Sequence, residues 1–153
     1  GVAAAAGCQL VASCDLALAS QEATFGVNGV NIGLFCSTPM VALSRNISRK
    51  KTFEMLVTGE FLTADDAQKE GLINKVTEAN NLNAETMKMA VTISEKLSSA
   101  VKIGKEAFYK QLELSVDDAY DYTAEVITEN MLHRDTEEGI SAFIEKRLPN
   151  WED

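Results

Sequence analysis

The sequence predicts an α/β chain in which short strands are confined to the first half and the second half is nearly all helix. Three observations carry this expectation. Up to about Val76, brief apolar runs alternate with glycine and polar residues, as short strands and turns do. Beyond that point apolar residues recur three and four apart over long stretches, the spacing of amphipathic helices. The composition, 46% apolar and 24% charged in 153 residues, supplies enough apolar side chains for a sizeable core.

Taken in order, Gly1-Val2-Ala3-Ala4-Ala5-Ala6-Gly7 reads as a tight small-residue loop entering a short buried helix, Cys8 to Ser13. Leu16 to Ala19, after Asp15, and Thr24-Phe25-Gly26 read as brief strands. Gly26 to Gly33 reads as a loop where backbone can approach a ligand closely. Thr38-Pro39 gives a helix start, N-cap then proline at the first helical position, running to about Arg45. A second helix begins at Arg49, with Phe53, Leu56 and Val57 on one face and Gly59 as its stop. Thr63-Ala64-Asp65-Asp66 opens a short helix ending at Gly71, and Leu72 to Val76 reads as a strand. Leu82, Thr86, Met89, Ile93 and Leu97 mark a long helix, Val101 to Leu112 another, and Val116, Ala119, Tyr120, Thr123 and Ile127 a third. Asp135-Thr136-Glu137-Glu138 begins the last one, which carries Ile140, Phe143 and Ile144. No repeat, low-complexity tract or linker is present, so one structural unit is expected.

Charge and motif content exclude several function classes. A net charge of -9 argues against nucleic acid as the main partner, since phosphate binding needs clustered Lys and Arg. Arg45, Arg49, Lys50 and Lys51 form one small basic cluster, read as a solvated helix start. Cys8, Cys14 and Cys36 match neither a zinc knuckle nor a CxxC pair, and read as idle or buried thiols in a reducing compartment. No metal is expected: the single histidine, His133, lacks neighbours in ligand spacing and reads as a surface residue at the end of a helix. No run approaches the apolar length of a membrane span, and the start lacks the order of a signal peptide. The chain opens without Met on a glycine, so it is expected to begin inside a longer protein.

A glycine- and alanine-rich entry to a helix leaves the first backbone N–H groups without intrahelical partners and crowds no side chain over them. Such donors can serve as an oxyanion hole. In this setting Gly1 to Asp15 (GVAAAAGCQLVASCD) resembles the corresponding segment of the crotonase (enoyl-CoA hydratase/isomerase) superfamily. The likeness continues in register through Ala23 to Gly26, Asn31 to Leu34, Leu56 to Glu60, Ala64 to Leu72 and Glu138 to Arg147, covering essentially the whole chain.

The resemblance implies a ββα spiral, here its C-terminal portion. Residues 1–76 would end the spiral core and 77–153 would form a helical region that mediates trimers, often as a dimer of trimers. It implies acyl-CoA as ligand, with a coenzyme A thioester as substrate rather than any separate cofactor, and a mitochondrial setting. Ala6, next to Gly7, would donate the second N–H of the oxyanion hole, the first lying upstream. Phe143 and Lys146 match positions that can contact CoA across a subunit boundary. Gln9 and Gly29 fall where hydratases carry their two acid/base glutamates, so those positions are degenerate and ordinary hydration is not expected. Gain of hydration on placing glutamates at both would show that the rest of the site is competent. Asp15, Glu22, Asn28, Asn31 and Cys36 are the other polar candidates near this region. An enzyme with altered chemistry and a non-catalytic acyl-CoA-binding or structural member remain the two readings.

Overall fold

The computed structural model describes residues 1–152. The chain divides into two compact units, from Gly1 to Lys88 and from Met89 onward.

The first unit holds two small sheets. Strand β1 (Val2–Ala4) runs parallel to β3 (Thr24–Gly26), and β3 pairs antiparallel with β4 (Phe61–Thr63). Strand β2 (Leu18–Ser20) pairs parallel with β5 (Lys75–Thr77). Val2 to Ala4 is thus a strand and not the expected loop. Val2 faces Thr24 and Ala4 faces Gly26, and the ladder is bracketed by Thr24 N–H to the Gly1 carbonyl and Ala5 N–H to the Gly26 carbonyl. The ladder, and not side-chain propensity, defines this strand, which is why an alanine run concealed it. Leu72 and Ile73 are core residues ahead of β5 rather than part of it.

Helix α1 (Ala6–Ser13) and helix α2 (Ser37–Asn46) pack together, and Asn46 Nδ2 donates to the carbonyls of Ala12 and Ala42 at 2.8 Å each. That one amide satisfies an end of each helix. Asn74 and Ala17 exchange a reciprocal pair, Ala17 N–H to Asn74 Oδ1 and Asn74 N–H to the Ala17 carbonyl, which ties the start of β5 to the start of β2. Around these ties Cys8, Val27, Leu43 and Ala67 are wholly buried, with Phe25, Met55, Leu56 and Leu62 beside them.

Local signals place most of the helices. Helix α3 (Arg49–Thr58) is capped by the Ser48 hydroxyl and stops at Gly59, whose φ of 67° is left-handed. Its buried face is Thr52, Met55 and Leu56; Phe53 (61% exposed) and Val57 (45%) face outward, correcting the expected face by one position. Helix α4 (Ala64–Lys69) starts on Thr63, whose hydroxyl accepts from Asp66 N–H and donates to the Asp66 carboxylate. Helix α2 begins at Ser37 with Cys36 in the cap position, so Thr38 is inside the first turn and caps nothing.

Helix α5 (Leu82–Ser94) runs across the boundary between the units. In the second unit α6 (Ser98–Gln111) packs on α7 (Val116–Met131), and α7 on α8 (Arg134–Glu145). His133 is exposed but stands in the cap position that opens α8, not in a helix. After α8 the chain turns at Lys146 (φ 58°) and folds back. Arg147 grips Glu138 and Glu145, Glu138 accepts Asn150 N–H, Arg134 pairs with Glu152, and the Trp151 indole donates to the Glu95 carbonyl. Among the described residues only Leu97, Ala107 and Ala142 of this unit are buried.

Candidate functional site

Small residues set the site up. Ala5 sits at φ 46°, ψ -109°, a backbone conformation that alanine adopts at a cost of order 1–3 kcal/mol. It is pinned on both sides: its N–H donates to the Gly26 carbonyl at 2.8 Å, and its carbonyl accepts Gln9 N–H at 2.9 Å. The bond from Gln9 is the first of the helical ladder, so the N–H groups of Ala6, Gly7 and Cys8 lie ahead of it at the positive end of α1. The strained turn aims this end into a cavity of about 540 Å³.

That cavity is lined by Ala5 and Ala6, by Asn28, Gly29 and Ile32 of a 3-10 turn (Asn28–Ile32), and by the segment Leu34 to Pro39 leading into α2. It therefore brings Ala6 and Gly29 to one place although they are far apart in sequence. No lysine, arginine, histidine or carboxylate is among its lining residues. Gln9 is half-buried further along α1 and outside the lining, as is Gly7, around which a β-carbon would meet nothing within 4 Å. Asp15 and Glu22 are exposed and also outside it, while Asn31 packs against Gly59 instead.

Gly29 is a glycine for want of room. Its φ is not left-handed, but a β-carbon there would lie 2.8 Å from Cys36 Sγ and 2.8 Å from the Leu34 carbonyl oxygen. A glutamate at this position would require the Leu34 backbone or Cys36 to shift, so a carboxylate introduced there comes with a displaced turn. Cys36, expected from sequence near an acyl pocket where the loop enters a helix or else as a small filler, is half-buried in the cavity lining; its approach to Gly29 is formed by the turn and is invisible in a linear pattern.

Of the other thiols, Cys14 is exposed and Cys8 lies buried beneath the site. Burial pushes the Cys8 pKa up to about 11, against a hydrogen bond with the Gly26 backbone that pulls it down and with Cys36 adding a smaller upward push. Cys8 is a core thiol, wholly buried. Phe143 and Lys146 lie in the second unit, Phe143 84% exposed on α8 and Lys146 at its C-terminal turn. Among the described residues no cluster of His, Cys, Asp and Glu is suited to a metal ion, and no helix is long and apolar enough to cross a membrane.

The chain belongs to the enoyl-CoA hydratase/isomerase family, which it matches along residues 1–153, and its fold is the crotonase fold. It is 51% identical over 151 residues to the mitochondrial enoyl-CoA hydratase domain-containing protein 3 of Xenopus laevis, covering 99% of this chain and 51% of the relative. The human protein of that name is 50% identical over 151 residues, again with 99% and 50% covered. The crystal structure of the human protein superposes with a TM-score of 0.95 over 99% of this chain and 60% of that one, at 50% identity. An enoyl-CoA hydratase structure from Mycobacterium smegmatis gives 0.97 at 52% identity, covering 100% of this chain and 60% of that one. The chain thus spans about half the length of the curated relatives it matches.

Proposed function

We propose that this chain forms the C-terminal part of a mitochondrial acyl-CoA-binding protein that polarises a thioester but does not hydrate an enoyl-CoA at the rate of an ordinary hydratase. The observation that carries this reading is the cavity that joins Ala6 to Gly29 with no carboxylate in its lining. The N–H groups at the start of α1 suit a thioester oxygen, because preorganised donors at a helix N-terminus stabilise developing negative charge. Hydration further requires a group to activate water and a group to protonate carbon, and neither an amide at Gln9 nor the bare Gly29 does so. The lining alanines, Ile32, Leu34, Phe35 and Pro39 suit an apolar acyl group.

The mitochondrial setting is supported by the names of the relatives. Assembly into a homo-oligomer, a trimer or a dimer of trimers, is supported by the second unit, whose helices bury few residues of their own and expose Val116, Tyr120, Leu132, Phe143 and Leu148. A non-catalytic role is the second reading, favoured by the same absence of carboxylates. Calorimetry and crotonyl-CoA kinetics on the full-length protein test these. Acyl-CoA binding with hydration far below that of a hydratase is expected. Turnover at hydratase-like rates would overturn the argument from Gln9 and Gly29, and a failure to bind any CoA thioester would leave only the structural role.

A further inference from the structure

The segment that carries the candidate donors, Ala6 to Cys8, is tied at both ends to one residue. The Gly26 carbonyl accepts Ala5 N–H at 2.8 Å, and the Gly26 backbone also hydrogen-bonds the buried Cys8 thiol. Gly26 ends β3, and a glycine left bare at a strand end has too much backbone freedom to anchor anything well. Here a neighbouring strand covers it. Ala4, Gly26 and Phe61 stand side by side on one rung of the sheet, and three atoms of the Phe61 ring lie 2.7–2.8 Å from the point where a side chain on Gly26 would begin. The ring therefore fills the side-chain space of Gly26 from β4, as aromatic residues do for glycines in sheets. Phe61 is 37% exposed, stands outside the enclosed core and does not line the cavity, so its loss opens no buried void and removes no contact to a ligand there.

We propose that Phe61 is a positioning residue for the N–H donors at the start of α1, acting through Gly26. The inference rests on the reading above that these donors face a thioester oxygen, and it adds what fixes their direction. With the ring in place the Gly26 peptide has one seat, so the bond from Ala5 N–H holds and the strained turn stays closed. Without the ring that peptide gains room to rotate, Ala5 relaxes from its positive φ, and the N–H groups after it lose their common direction. The number of donors is unchanged but their aim is not, and stabilisation of a developing charge depends on aim.

Isotope-edited infrared spectroscopy of butyryl-CoA bound to the full-length protein reads that aim, because N–H donors on a thioester oxygen lower its carbonyl stretch relative to the free ligand. A bound frequency below the free one is expected in the wild type and in Phe61→Tyr, which keeps the ring. Phe61→Ala and Phe61→Leu, which lack it, are expected to bring the frequency most of the way back to the free value and to weaken binding by about tenfold. A merely structural phenylalanine would lower the melting temperature of both variants and leave the bound frequency at its wild-type value, an outcome that would overturn the proposal. If the wild type binds butyryl-CoA with no change in frequency, or does not bind it, the reading of the α1 donors falls and this one with it.

Discussion

At the scale of single residues, the site is built from constraints on where atoms fit rather than from reactive groups. Gly29→Ala places a methyl against a thiol and a carbonyl and is expected to lower stability by about 1–3 kcal/mol, measurable as a lower midpoint in denaturant at unchanged slope. Ala5 makes the opposite case. Glycine at that position is expected to stabilise by about 0.5–1 kcal/mol, because relief of the φ 46° conformation outweighs the added freedom of the unfolded chain. A loss of stability in Ala5→Gly would show that the turn is unstrained. Of the positions the ordered motifs single out, the cavity takes in Ala6 and Gly29 and not Gln9; that glycine stands at 29 was legible in the sequence. The reason for glycine at 29 was not, since it lies in a contact that only the 3-10 turn creates.

At the scale of elements, capping explains which segments could be read in advance. Thr63, Asp66 and Gly59 act within a few residues of themselves, so their roles are written locally; Thr63→Ala should cost about 0.5–2 kcal/mol through loss of the α4 cap. Strand β1 and the true face of α3 depend on partners remote in sequence, and the pattern misplaced both. The fold-back after α8 is likewise not written locally, although its charges are plain in the sequence. There Arg147, and then Asn150 N–H, hold the Glu138 carboxyl down to about 2. A depressed carboxylate contributes stability that is complete above the ordinary carboxylate range and is lost as pH falls toward the folded value. The wild type should therefore lose stability between about pH 4.5 and pH 2 more steeply than Glu138→Gln, as followed by acid-dependent thermal unfolding. Equal slopes would mean that the pairing carries no net stabilisation.

For the molecule as a whole, the two units differ in how they use apolar residues. The first encloses a core around Val27, Leu43 and Met55, whereas the second leaves Phe143, Ile144 and Leu148 between 72% and 89% exposed. Under the proposed assembly, Phe143→Asp with Ile144→Asp should drive the full-length protein toward smaller species in sedimentation velocity; an unchanged sedimentation coefficient would place the interface elsewhere. The apolar spacing anticipated the helical character of this half but not its shortage of buried residues, because amphipathic spacing reports a face without saying what covers it. The fold-back beyond α8 has one practical consequence. The chain's single tryptophan is Trp151, its ring against Gly139 and its indole on the Glu95 carbonyl. The intrinsic fluorescence of this chain is therefore a built-in optical gauge of whether its last turn of sequence is seated, and a red shift on dilution or acidification would time the release of that segment alone.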